Sequence, residues 1–314
     1  MNEFKPPKYL FNGHAETILP YYIRKVSNPY YERERIDTPD GDFLDLDWKR
    51  TESRKLVVLT HGLESSSNAK YIVGMVNYFS EEGYDVLAWN CRSCSGEVNL
   101  KLEYYHCAVS HDLRAVLNHC FENTDYDEIY LVGFSMGGNI TLKYLGEEGS
   151  KVNSKIKGAK AISTPLDLKT SAVEMGKGFN KLYTTSFLFG LRKKLLQKKD
   201  RLEAKGIYLS EFKKIKNFID FDDYFTAQIH GFDGAYDYYE KGSGINYIED
   251  IRVPTMILNA KNDPFLSKEC YPGKESISNS NIEFSYPQYG GHVGFLAKNM
   301  TWSEPLTLNF IKSL

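Results

Sequence analysis

Gly133-Phe134-Ser135-Met136-Gly137 sets a serine between two glycines, the spacing of a hydroxyl displayed on a tight strand-to-helix turn. A serine hydroxyl is a weak nucleophile at neutral pH, so a base must take its proton and an acid must hold that base in the right tautomer. Downstream, Gly290-Gly291-His292-Val293-Gly294 offers a histidine and Asn262-Asp263-Pro264 a carboxylate. Ser135, Asp263 and His292 would together perform nucleophilic acyl chemistry, with Gly133 and Gly137 keeping side chains out of the turn. The tetrahedral intermediate of such chemistry needs two backbone N–H donors aimed at its oxyanion. Met136, the residue after the serine, and Leu63, in the loop His61-Gly62-Leu63, are the candidates; Gly62 lets that loop turn toward Ser135.

Position in the chain supports each choice. Leu56 to Leu59 is a short, continuously apolar run that reads as a strand buried on both faces and ends at His61-Gly62. Tyr71, Ile72, Met75, Val76 and Phe79 recur at helical spacing, and Tyr84 to Trp89 reads as the next strand. Leu113 to Phe121 predicts a helix and Ile129 to Val132 a strand leading into the serine turn. A further helix begins near Met136, and the strand Ala159 to Ile162 follows. Val253 to Leu258 and Ile282 to Tyr286 are the last strands, so Asp263 and His292 fall in loops at strand carboxyl ends, where α/β sheets gather functional groups. Of seven histidines only His292 follows the final strand. Asp167, after the strand Ala159 to Ile162, stays open as the alternative acid, and His61 reads as a brace for its loop.

The periodicity therefore predicts an α/β chain with a doubly wound, mostly parallel sheet, opened by a hairpin at Tyr31 to Ile36 and Phe43 to Trp48. Strand signals lapse from about Thr164 to Ile248, where helical, basic and aromatic stretches take over. That interval, 164–248, reads as a helical cap inserted into a core made of residues 1–163, with its N-terminal arm, and 249–314.

Composition removes several alternatives. A net charge of −2 gives no drive toward nucleic acid, and no recognition motif for it occurs. Five cysteines, an odd number, fit reduced thiols; Cys91-Arg92-Ser93-Cys94 has the C-x-x-C form but lacks the second pair of ligands a zinc site needs. Neither metal nor organic cofactor is expected. The start, Met1 to Pro7, carries no apolar run behind a basic segment, and no stretch has the roughly eighteen apolar residues of a membrane span, so the expectation is a soluble, cytoplasmic chain. In the cap, Leu188, Leu191, Leu195 and Leu202 fall on one stripe while Arg192, Lys193, Lys194, Lys198, Lys199 and Arg201 take the other faces. Such a stripe suits contact with an anionic membrane surface, but packing on the core with the charges in water is the favoured reading.

Several segments resemble the YheT-like branch of the α/β-hydrolase superfamily, nearly end to end: Asn12-Gly13-His14-Ala15-Glu16-Thr17, His61-Gly62-Leu63-Glu64, Asn90 to Glu97, Tyr105-His106, Phe221-Asp222-Asp223, His230-Gly231-Phe232, Asn262-Asp263-Pro264-Phe265 and Gly291 to Phe295. The chain departs from that pattern at Ser65 and Ser93, where the branch has glycine, at Glu16, where it has glutamine, and at Cys107-Ala108, where it has Ser-Gly. The resemblance implies a capped α/β-hydrolase fold, Ser135, Asp263 and His292 as catalytic triad, and hydrolysis of carboxylic or lipid acyl esters. A thioesterase or acyltransferase would use the same three residues, and a binding protein of the same fold would keep the scaffold without the chemistry.

Overall fold

The computed structural model describes residues 4–273, 275–298 and 300–314; Met1 to Glu3, the first residues of the start inspected above, lie outside it. The chain opens with α1 (Gly13–Ile23), then the antiparallel pair β1 (Glu32–Asp37) and β2 (Phe43–Lys49). Alternation follows: β3 (Lys55–Thr60), α2 (Lys70–Glu81), β4 (Asp85–Asn90), α3 (Ser110–Asn123), β5 (Glu128–Phe134), α4 (Met136–Glu148) and β6 (Ile156–Ile162). Next come α5 (Leu168–Met175), α6 (Asn180–Leu196), α7 (Lys199–Ala204), α8 (Phe218–Phe221), α9 (Ala227–His230) and α10 (Gly234–Gly242), with a π-helical turn, Asp222–Thr226, joining α8 to α9. Then β7 (Thr255–Leu258) and β8 (Ile282–Ser285) complete the sheet, and a two-residue hairpin, β9 (Leu296–Ala297) with β10 (Met300–Thr301), leads into α11 (Ser303–Lys312).

The eight strands lie in the order β1-β2-β4-β3-β5-β6-β7-β8, and every pairing from β4 onward is parallel. β3 sits between β4 and β5, which explains its uninterrupted apolar run. Leu56 and Val58 enter the core on one face with Leu113, Val116 and Leu117 of α3, while Val57 and Leu59 enter the other with Ile72, Met75 and Phe79 of α2. All four β3 side chains are buried, each contributing about 1.5–3 kcal/mol relative to exposure. The long crossover from β6 to β7 is helical, and Leu188, Leu191 and Leu195 of α6 pack on the first of those core faces.

Two features differ from the sequence reading. The arm contains α1, capped by the Asn12 side chain, which accepts the Ala15 N–H at 2.8 Å. The basic stretch is two helices, α6 and α7, and two of its lysines turn inward. Lys194 pairs with Glu64 at 2.8 Å, and Lys198, 3% exposed, donates to Asn99 Oδ1 and to the Lys101 carbonyl at 2.6 Å. Carbonyl groups and a carboxylate near these positions, supplied by distant segments, hold ammonium groups that spacing alone assigns to solvent. Among the described residues no helix is long and apolar enough to cross a membrane.

Candidate active site

Ser135 stands between β5 and α4 with φ 53° and ψ −119°, a left-handed conformation that costs a non-glycine residue about 1–3 kcal/mol. The close approaches that the turn requires explain its glycines. A Cβ on Gly133 would lie 2.3 Å from the Gly137 carbonyl oxygen, and one on Gly137 would lie 2.2 Å from that of Thr60. The strain is held by the Ser135 N–H donating to the Ile162 carbonyl at 2.8 Å, which ties the turn to β6.

His292 Nε2 lies 2.9 Å from Ser135 Oγ, and its Nδ1 lies 2.8 and 3.1 Å from the two carboxylate oxygens of Asp263. An Nδ1–H donated to Asp263 leaves the Nε2 lone pair facing the hydroxyl. Asp263 is buried and also accepts the Phe265 N–H at 2.9 Å, and the Phe265 ring stacks on the imidazole at 4.1 Å between centroids. Asp167 is elsewhere. It caps α5, accepting from the Thr170 N–H and hydroxyl at 2.8 Å each, so it is a helix cap and not a partner of His292.

The loop after β3 holds the backbone donors on either side of Leu63 in hydrogen bonds. The Gly62 N–H donates to the Tyr71 hydroxyl at 2.9 Å, and the Glu64 N–H to the Tyr105 hydroxyl at 2.9 Å. Leu63 N–H between them, like Met136 N–H at the start of α4, has no partner among the described residues, and both residues line one cavity with Ser135 and His292. Gly62 packs directly on the serine, where an added Cβ would come within 3.2 Å of Ser135 Cβ. Tyr71 in turn donates to Ser65 Oγ at 2.8 Å, so the serine that stands in place of glycine helps brace the loop. His61 is fully buried; its Nδ1–H donates to the Gly62 carbonyl at 2.8 Å and its Nε2 accepts the Cys91 N–H at 3.1 Å. Burial pushes its pKa down to about 4, which keeps the ring neutral and in that tautomer.

Residues outside the motifs hold the histidine and acid loops together. Glu16 of α1 accepts the Gly290 N–H at 2.5 Å and the Asn262 amide at 2.7 Å, while Asn262 accepts the Gly291 N–H at 3.0 Å. Thr17 accepts the His292 N–H at 2.9 Å, and Ser163 the Val293 N–H at 2.8 Å. Burial raises the Glu16 carboxyl above its ordinary range, against the hydrogen bonds from Gly290 and Asn262. The arm motif marked these positions in the sequence, but nothing in it said which loops they would join.

A cavity of about 480 Å³ opens onto Ser135, with walls that include Leu168, Ala172 and Met175 of α5 and Tyr183, Phe187 and Leu191 of α6. Its size and apolar lining suit a small organic ligand. The five cysteines are all unpaired as disulfides, and burial raises the Cys91 and Cys94 thiols above their ordinary range.

Comparison with known proteins places this architecture. The family described as alpha/beta hydrolase fold matches residues 55–297. YheT of Escherichia coli (strain K12) is 32% identical over 301 residues, covering 94% of this chain and 87% of that protein. Phospholipase ABHD3 of Homo sapiens is 26% identical over 324 residues, covering 99% of this chain and 79% of that protein. Among solved structures, the Pyrococcus furiosus esterase Pf2001 superposes with a TM-score of 0.62 at 20% identity, over 99% of this chain and 98% of that one. With an eight-stranded, mostly parallel sheet and a relative at this identity over nearly its whole length, the chain belongs to the alpha/beta hydrolase fold family, in its YheT-like branch.

Proposed function

We propose that the protein hydrolyses carboxylic esters through Ser135, His292 and Asp263. The observation that carries this reading is the in-line contact of the three side chains, 2.9 Å from hydroxyl to imidazole and 2.8 Å from imidazole to carboxylate. Ser135 Oγ attacks the ester carbonyl as His292 Nε2 takes its proton; Asp263 fixes the ring and stabilises the imidazolium. The Leu63 and Met136 N–H groups receive the oxyanion, and collapse expels the alcohol, which takes the proton from His292. Water then enters by the same base catalysis and releases the acid from the acyl-serine. The apolar cavity favours a hydrocarbon portion on the substrate, and the relatives named phospholipase ABHD3 and monoacylglycerol lipase agree with an ester. A cap formed by residues 164–248 supplies α5 and α6, two of the helices that wall this cavity, so acyl preference resides there.

The test is turnover of a p-nitrophenyl ester together with labelling by an alkyl fluorophosphonate. Ser135→Ala is expected to abolish labelling and to lower kcat by about 10⁴- to 10⁶-fold with the fold intact. A variant that keeps more than about a tenth of the turnover removes Ser135 as nucleophile.

A further inference from the structure

The apolar cavity contains one feature that hydrocarbon recognition does not explain. Asp222 and Thr226, the ends of the π-helical turn, line it, as do Tyr104, Tyr238 and Tyr239. Thr226 donates to Asp222 Oδ1 at 2.6 Å, and Tyr239 donates to Oδ2 at 2.7 Å. A carboxylate offers about four acceptor positions, so roughly half of them are unused by the described residues. Among the described residues no cation pairs with it, whereas Glu64, the other carboxylate on this cavity, is held by Lys194. Burial pushes the Asp222 pKa up to about 6, so the group is mostly ionised at neutral pH in a place where an unpaired charge is costly. π-turns break the regular helical ladder and recur at functional sites. Here Asp222 opens the turn and lines the cavity, and α10 connects it to the nucleophile. Tyr238 accepts the Cys107 N–H at 2.9 Å, and Asn139, one helical turn beyond Ser135, donates to both the Cys107 and the Gly242 carbonyls at 2.7 Å.

We infer that Asp222 is a specificity-determining residue whose free oxygen positions accept a hydrogen bond from a hydroxyl or ammonium group on the substrate, selecting donor-bearing esters over purely hydrocarbon ones. The inference rests on the ester-hydrolase reading for its reaction but not for its binding. Hydrogen bonds to an ionised group inside a cavity support a preference of about tenfold to a hundredfold.

The experiment uses two matched sets of esters of equal length, in which a methyl, hydroxyl or ammonium group ends either the alcohol portion or the acyl chain. In kcat/KM the wild-type protein is expected to favour the hydroxyl or ammonium member of one set, and the set that discriminates identifies which portion reaches Asp222. Asp222→Asn retains one acceptor, so it keeps most of the hydroxyl preference and loses the ammonium preference; Asp222→Leu loses both. Equal kcat/KM across both sets in wild type overturns the inference, as does a preference that survives Asp222→Leu in folded protein. If Asp222→Leu does not fold, the ammonium preference in Asp222→Asn decides. Calorimetric binding of the same esters to Ser135→Ala reads the subsite without turnover. Selective binding there with no hydrolysis by wild type would refute the ester-hydrolase reading alone, and unselective binding would refute the subsite.

Discussion

Replacing Asp263 by asparagine separates the acid from the loop that carries it. In the native site Asp263 Oδ1 accepts the Phe265 N–H at 2.9 Å, a bond an asparagine oxygen can keep, while Oδ2 accepts from His292 Nδ1 at 2.8 Å. The amide would then present an N–H to Nδ1, and two donors cannot face each other. The imidazole escapes by moving its proton to Nε2, which faces Ser135 Oγ at 2.9 Å and can no longer accept the hydroxyl proton. The same change of tautomer in a serine-histidine-aspartate site lowers kcat by about 10⁴, equivalent to about 5.4 kcal/mol of barrier. Stability should change by less than about 1 kcal/mol, because size and one hydrogen bond are preserved. Asp167→Ala is the counterpart. It removes the cap of α5 and should cost about 0.5–2 kcal/mol of stability, a melting point lower by a few degrees, with kcat nearly unchanged. Turnover of a p-nitrophenyl ester and a thermal melt on both variants test the pair. An Asp263→Asn protein within tenfold of wild type, or an Asp167→Ala protein slowed as much, would refute the tautomer reasoning.

Glu16→Ala leaves the Gly290 N–H and the Asn262 amide without their acceptor, so it should cost about 1–3 kcal/mol in a melt and lower kcat; Glu16→Gln, the residue of the resembling branch, should lose much less. A Glu16→Ala enzyme with native kcat would show that the histidine and acid loops are positioned without α1. Acid should unfold the protein in a defined window. His61, with a pKa near 4 in the fold and near 6.5 when unfolded, is joined by His230, near 3, and by His106, which burial also holds down. The unfolded chain binds protons that these rings refuse, so stability is fully present above about pH 6.5 and is lost as pH falls toward about 4, by about 3 kcal/mol for His61. His61→Gln, which can still donate and accept, should flatten that decline, and a melting point equally pH-dependent in the variant would assign the effect to other groups.

Strands that run through the middle of the sheet were legible because burial on both faces leaves no polar position: Leu56 to Leu59 and Ile129 to Val132 are of this kind, and both lie within the observed strands. That Ser135, Asp263 and His292 would meet was legible for a related reason. A strand end fixes where a loop begins, and the order of the strands fixes which loops meet. The support around them was not. Glu16 reaches Gly290 across 274 residues, and Ser163 reaches Val293 across 130, contacts that no local period encodes. α1 escaped the periodicity because Pro20 and few core contacts leave it without a clear apolar stripe; only Glu16 and Pro20 in it are buried.

The basic stretch from Arg192 to Arg201 shows how far charge pattern alone can mislead. Six cations between Arg192 and Arg201 read as a solvated face or a membrane-facing one, and both readings require them to be free. Lys194 instead joins Glu64 and Tyr105, next to the Leu63 loop, and Lys198 closes on Asn99 and three carbonyl groups between Lys101 and Glu103, with its pKa pushed down to about 8 by burial. Neutralising those two would break buried hydrogen bonds at a cost of about 1–3 kcal/mol each, whatever the surface does. Of the four lysines, Lys193 and Lys199 remain exposed, so they can report on attraction to an anionic surface without also loosening the contact between α6 and the loop that follows β3. That contact would give α6 a consequence for the proposed chemistry: its Lys194 grips Glu64, whose neighbour Leu63 has an N–H without a partner among the described residues and lines one cavity with Ser135.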